Sequence, residues 1–311
     1  MHSEYAVEPA AMGADWQTFR YLFEKFGFDK GRVISRLPKA WEKRVISSAK
    51  EAGVPDVKMK SIIERLRGSK RIRVVELDRQ YDPAIDWPDN ARSEHAKRPF
   101  HAMIGCQKDA TCAQAITPDE CDDDNALLVA PTSKNIPRTP DEIASAVFLL
   151  ALASKEIDLI DPYFDLRPVN GDYTGPLAAL LGRLAATGCE PKTIRIHYRT
   201  HDKRPPDNLV ARDAPGQTQG FLPAGYVLKL YEWQEIAGGE DFHDRFVLTE
   251  CGGLTVGAGL SAAAPGETAT ISLLDYGNAQ QLRARFADGA TIYNKVGATV
   301  QIESGGIAKL I

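Results

Sequence analysis

The chain has 311 residues, of which 43% are hydrophobic and 26% charged, with a net charge of −4 and a pI near 5.9. This is the composition of an ordinary soluble globular protein, long enough for one or two domains. The acidic balance excludes a general basic field, so any phosphate binding must come from a local patch. No run approaches the length of a membrane span. The start, MHSEYAVEPAAMGADW, lacks a basic segment followed by an apolar core, so no secretory signal is read there. Five cysteines at irregular spacing do not make a disulfide framework. Cytoplasmic residence, without membrane association, is the expectation.

In chain order, Asp15 precedes a run to Phe26 in which Phe19, Leu22, Phe23 and Phe26 share one helical face, and Gly27 ends it. Pro38 opens a second helix through Trp41, Val45 and Ile46. Ser61 to Arg67 reads as a third short helix and Arg71 to Leu77 as a strand. Here lies the densest basic stretch, Lys58, Lys60, Arg65, Arg67, Lys70, Arg71 and Arg73. It reads either as a solvated face or as a nucleic-acid-binding one. From Asp78 to about Arg138, prolines, aspartates and three of the cysteines crowd together, which suggests irregular surface structure or a long insertion. His101, Cys106, Cys112 and Cys121 carry metal-ligating atoms, but their spacing matches no standard zinc knuckle. Neither a metal nor another cofactor is expected. Residues 1–138 are therefore read as a mainly helical α+β domain for nucleic-acid or partner recognition.

Thr139-Pro140-Asp141-Glu142 is a capping box with proline at the first helical position. The helix it opens, to about Lys155, is apolar almost all round and should be buried. Ile157 to Phe164 follows as a strand ending in a polar turn that contains Asp161 and Asp165. A small-residue helix, Pro176 to Thr187, is closed by Gly188. Strands are expected at 193–198, 226–233, 271–274 and 299–302, and a helix at 279–286 capped by Asn278. Residues 139–311 thus read as an α/β domain, a mixed sheet flanked by helices.

Within it, Phe242 to Glu250, then Gly252-Gly253, then Gly257 to Ser261 read as a strand, a tight turn and a returning glycine-rich strand. Strand alternation sends His243 and Arg245 to one side and Phe246 and Leu248 to the other. Folding back sets Gly257, Ala258 and Gly259 across from the segment Arg245 to Leu248. A histidine and a guanidinium beside open backbone suit a phosphate.

Written as a pattern, this is His243-x-Arg245-x4-Glu250-x6-Gly257-Ala258-x-Leu260. It resembles the signature of the phospholipase D superfamily, His-x-Lys-x4-Asp-x6-Gly-Ser-x-Asn, with every spacing in agreement. The resemblance covers residues 139–311. It implies that His243 is a nucleophile forming a phosphohistidine, that Arg245 holds phosphate oxygens and that Glu250 orients the histidine. Gly257 and Ala258 would form the close-approach strand, with Asp161 bordering the substrate. The departures are Arg for Lys, Glu for Asp, Ala for Ser and Leu for Asn; the last two remove polar groups.

Family members with one motif complete the site as symmetric homodimers, each subunit donating one histidine. Inside this chain, His197 and His201-Asp202-Lys203 are the alternative histidines, and neither is followed by a glycine strand. Similar His-Asp-Arg cores occur in bacterial proteins of defence-related context, and in a domain thought to bind rather than cleave. The resemblance therefore implies one of two things. One is a metal-independent phosphodiesterase, foremost a nuclease. The other is a degenerate binding or scaffold subunit of a larger complex.

Overall fold

A computed structural model describes residues 1–169 and 171–311, the side chains of residues 69 and 70 excepted. The chain divides into two compact units, residues 2–131 and residues 132–311 with Met1. Among the described residues the first unit holds one five-stranded parallel sheet and the second one nine-stranded mixed sheet.

The first unit runs β1 (Ser3–Val7), α1 (Pro9–Met12), α2 (Trp16–Lys25), β2 (Arg32–Ser35), α3 (Trp41–Glu51), α4 (Asp56–Arg73), β3 (Val74–Val75), α5 (Trp87–Lys97), β4 (Ala102–Ile104) and β5 (Ala115–Ile116). Its sheet order is β3-β2-β1-β4-β5, and every pairing is parallel. Tyr5 and Val7 pack into a core with Phe19, Phe23, Trp41 and Ile62, whereas Ala6 packs oppositely with Leu37, Trp87 and Met103. Both faces of the central strand are therefore buried, the arrangement parallel sheets require.

The unit is mainly helical, as expected, but its strands form one parallel sheet, which corrects the α+β, partly irregular reading. The segments Tyr5-Ala6-Val7 and Val33-Ile34 are strands too short, and too uniformly buried, to show a period of two. The helix read over 61–67 spans Asp56–Arg73, which leaves only Val74–Val75 of the strand read over 71–77. The supposed irregular insertion contributes α5, β4 and β5.

The second unit runs β6 (Ser133–Pro137), α6 (Pro140–Ala153), β7 (Glu156–Ile160), α7 (Thr174–Ala186), β8 (Thr193–Arg199), α8 (Asp207–Thr218), β9 (Val227–Glu235), β10 (Phe246–Thr249), β11 (Gly253–Val256), β12 (Thr268–Leu273), α9 (Tyr276–Ala284), β13 (Tyr293–Glu303) and β14 (Ile307–Leu310). The order is β14-β13-β9-β8-β7-β10-β11-β12-β6. β7, β8 and β9 are parallel, and β10 runs antiparallel to β7. β6 pairs with β12, so residues 133–137, read with the first part of the chain, belong to this sheet.

Local chemistry explains the frame. Oγ1 of Thr139 accepts the Glu142 amide at 3.3 Å and starts α6. Nζ of Lys192 closes the other end of α6, donating to the carbonyls of Ser154 at 2.5 Å and Leu152 at 3.1 Å. On one sheet face Ile160, Phe246 and Leu248 pack with Leu282 of α9 and with Phe286 just beyond that helix. On the other, Leu159 and Phe164 meet Val147 of α6 and Leu180 of α7. The parallel strands thus bring Ile160, Arg199 and Glu235 to one end of the sheet.

Candidate active site

The carboxyl ends of parallel strands are where α/β sheets gather ligands, because the chain leaves each strand there in a loop free of ladder constraints. β7 hands over at that end to Asp161-Pro162-Tyr163, β8 ends in Arg199 and β9 in Glu235. β10 runs the opposite way, so residues 241–245 lead into it from the same end. Those residues precede the strand rather than forming part of it. Phe242, expected in the strand, instead anchors the segment among Phe286 and Tyr293, with ring centroids 5.2 Å away in each case. Its amide donates to Oε1 of Glu235 at 2.9 Å. Held at its neighbour, the side chain of His243 stands open to solvent, 58% exposed.

Arg245 donates from Nη1 to the Gly257 carbonyl at 3.4 Å, and its guanidinium carbon lies 5.1 Å from the Tyr163 ring centre. The Arg199 guanidinium lies 5.7 Å from the same ring. Arg199 also pairs with Glu235 at 3.0 Å and Asp241 at 3.6 Å. Glu235 and Asp241 interact directly: the Phe242 amide, Arg199 and Asp241 hold the Glu235 carboxyl below its ordinary value, and Glu235 raises that of Asp241. A solvent-open imidazole, two guanidiniums beside one ring and a pair of carboxyls make a set able to bind an oxyanion and exchange protons. Sequence reading did not single out Arg199, Glu235 or Asp241. Their placement just beyond parallel strands is the signal that would have found them.

Asp161 does not border open space. It is 1% exposed, and its two oxygens accept from the amides of Tyr163 and Leu260, each at 3.0 Å, and from the Tyr173 hydroxyl at 3.4 Å. Burial pushes its carboxyl above the ordinary value, against the pull of those donors and of the Arg245 charge. Its role is to clamp the returning chain. Gly259 passes so close that a Cβ there would lie 2.8 Å from Oδ2 of Asp161.

Register corrects a detail of the hairpin: Phe246 faces Thr255 and Leu248 faces Gly253, so residues 257–259 lie beyond Arg245 rather than across from Leu248. Gly257 is exposed, Ala258 half-buried and Leu260 buried. Leu260 lines an apolar cavity with Phe164, Tyr173 and Leu180 instead of facing His243.

Glu250 cannot orient His243. Four strand residues separate Glu250 from the Arg245 end, and pairing sets Thr249 beside Ile157, toward the amino end of β7. Three strand steps alone span about 10 Å. Oε1 of Glu250 accepts the Lys155 amide at 2.7 Å, a structural bond at the opposite end of the sheet. Spacing along the chain matched the motif, but an intervening strand carries the two residues apart.

The alternative histidines separate as well. His197 is sealed in the core, its Nε2 3.1 Å from Asp158 and its Nδ1 accepting from the Trp233 indole at 3.1 Å. His201 is exposed in the loop after β8, at the same sheet end as His243, and its Nδ1 accepts the Lys203 amide at 3.1 Å.

In the first unit, the basic stretch does not form one face. Lys58 and Arg65 stand over the Trp16 ring at 5.1 and 5.6 Å, Arg65 pairs with Glu24, and Arg73 donates to the Phe23 carbonyl. Lys60, Arg67 and Arg71 are exposed, and Arg67 shares an open groove of about 420 Å³ with Lys39 and Lys43. The side chain of Lys70 lies outside the described residues. Among the described residues no group of three or more His, Cys, Asp or Glu is placed to hold a metal ion, and Cys106, Cys112 and Cys121 are free thiols. No described helix is long and apolar enough to cross a membrane. In comparison with known proteins, no family model matches this chain and no curated protein is similar to it in sequence.

Proposed function

We propose that the second unit is a phospholipase D-like, metal-independent phosphodiesterase acting on nucleic acid, with His243 as its nucleophile. The observation that supports this most directly is the solvent-open His243 imidazole at the carboxyl end of the parallel strands, two residues from Arg245 and on the loop that Arg199 reaches. A ring nitrogen of His243 attacks phosphorus, and the bond from phosphorus to the leaving oxygen breaks as that oxygen gains a proton. Water then adds to phosphorus, the phosphorus–nitrogen bond breaks and the imidazole is regenerated. Arg245 and Arg199 stabilise the phosphoryl charge in both steps. The proton for the leaving group would come from His243 of a second copy in a symmetric homodimer. The nucleic-acid preference draws on the exposed Lys60, Arg67 and Arg71 of the first unit. A bacterial defence setting rests on the resemblance of the motif alone.

Purified protein in EDTA should hydrolyse bis-p-nitrophenyl phosphate and nicked or single-stranded nucleic acid. His243→Ala should lower turnover at least about a thousandfold while leaving the unfolding midpoint unchanged. A wild-type preparation inert toward DNA, RNA and phosphodiester lipids sinks the enzyme reading. One observation favours a second reading, a binding or scaffold subunit: Leu260, where the resembled motif has an amide, is turned into an apolar cavity. On that reading phosphate binds at Arg245 without turnover.

A further inference from the structure

Tyr163 and Arg199, which stand beside the His243 loop, also wall a cavity of about 250 Å³ formed by the segments that follow β7 and β8. Arg167, His201, Lys203 and Arg204 complete its polar wall, and Asp165 is the one carboxylate among its described lining residues. Arg167 takes Asp165 through Nε at 3.0 Å and Nη2 at 2.7 Å, and Arg204 stands 3.9 Å from the same carboxylate. One negative charge therefore answers two guanidiniums. Arg204 spends its donors on the carbonyls of Arg199 and Pro162, which fixes the loop. Nζ of Lys203 and Nε2 of His201 have no hydrogen-bond partner among the described residues, and both side chains belong to exposed positions. The cavity thus carries an excess of positive charge, with its unspent donors on one short loop. It adjoins a half-buried aromatic ring that is shared with Arg245.

We infer that this cavity is a second phosphate subsite, taking the phosphate next to the scissile one on a single nucleic-acid strand. The inference rests on reading His243 and Arg245 as the site of the scissile phosphate. Successive phosphates on one strand need two cationic sites joined by a surface that accepts a base, and the Tyr163 ring supplies that surface by stacking. A phosphodiester lipid headgroup or a small aryl ester presents one phosphate and leaves the cavity unused.

The test uses full-length protein and a short fluorescein-labelled oligothymidylate. Binding is read by anisotropy in a His243→Ala background, where the strand stays intact. Lys203→Glu in that background should weaken binding by about tenfold or more and reduce the slope of log affinity against log salt by about one. In otherwise wild-type protein, Lys203→Glu should raise KM for the oligonucleotide with little change in kcat. Equal oligonucleotide affinity with and without Lys203→Glu overturns the subsite, even if bis-p-nitrophenyl phosphate is hydrolysed normally. A loss of binding on Lys203→Glu in a protein that hydrolyses no phosphodiester upholds the subsite and removes the catalytic reading instead.

Discussion

At Gly259 the backbone φ is +88°, and the space where a Cβ would go is taken by Oδ2 of Asp161 at 2.8 Å. Both facts demand glycine, because L side chains rarely adopt that conformation and the carboxylate cannot retreat without losing the Leu260 amide. Gly259→Ala should therefore cost about 1–3 kcal/mol, read as a lower urea midpoint. It should also disturb Arg245, whose Nε lies 3.5 Å from the same Cβ position. Gly257→Ala is the control: its Cβ would meet only the Thr270 carbonyl at 3.4 Å, and its φ is ordinary. A stability change within about 0.5 kcal/mol is expected there. Equal midpoints for the two variants would remove Asp161 from its clamping role. At this scale the motif pattern names Gly257, whereas the positive φ and the close approach to Asp161 fall at Gly259. A sequence pattern carries spacing, not φ angles or close approaches.

Two buried carboxylates with opposite electrostatics, Asp158 in β7 and Asp161 just after it, bear on different ends of the site's support. Asp158 is taken by Arg195 at 2.5 and 2.7 Å, by Arg283 of α9 at 2.7 Å and by His197 at 3.1 Å. Burial alone would raise its carboxyl, but the His197 and Arg195 bonds outweigh burial and hold it well below the ordinary 3.8. A depressed folded-state value gives stability that is complete above the unfolded value and is lost as pH falls below it. His197 follows the same sign, since burial depresses it from 6.5 against the pull of Asp158. Acidification should thus weaken the protein first below about pH 6.5 and again below 3.8. Asp158→Asn should lose about 3 kcal/mol at neutral pH, because it leaves Arg195 and Arg283 with only the half-exposed Glu156 as a counter-charge. In a urea titration across pH, it should also lose the lower of the two steps. A variant with the wild-type acid profile would show that the network carries no such load.

Elements of this kind were the most legible part of the chain. α6, β7, β8 and β9 have caps, lengths and flanking turns that mark them, and they lie near their expected bounds. α8 was hidden by Pro215 and Gly216 inside it, and it persists by packing on β13 and β14. β1 and β2 were hidden because strands buried on both faces lose the alternation that announces a strand.

For the whole molecule, a net charge of −4 repels polyanions at long range, so the proposed strand capture would have to rest on short-range cations such as Arg245, Arg199 and Lys203. Interactions of that range are felt within about one Debye length, about 8 Å at physiological salt. The sequence contains one His-x-Arg motif with its glycine strand, whereas the proposed two-step displacement would need a nucleophile and a proton donor. On that proposal the donor would be either a second copy of His243 or a group in the same chain, such as His201 in the loop after β8. Mixing separates these possibilities. When wild-type and His243→Ala chains are refolded together in varied ratio, a site built across a twofold axis is complete only when both chains are wild type. Activity should then follow the square of the wild-type fraction, and the proposed homodimer predicts that curve. A site complete within one chain gives a straight line, which would discard the dimer and turn the search for the proton donor to the loop after β8. A different affinity tag on each chain, with both tags recovered together from the refolded mixture, checks that exchange has occurred, so a straight line cannot arise from unmixed dimers.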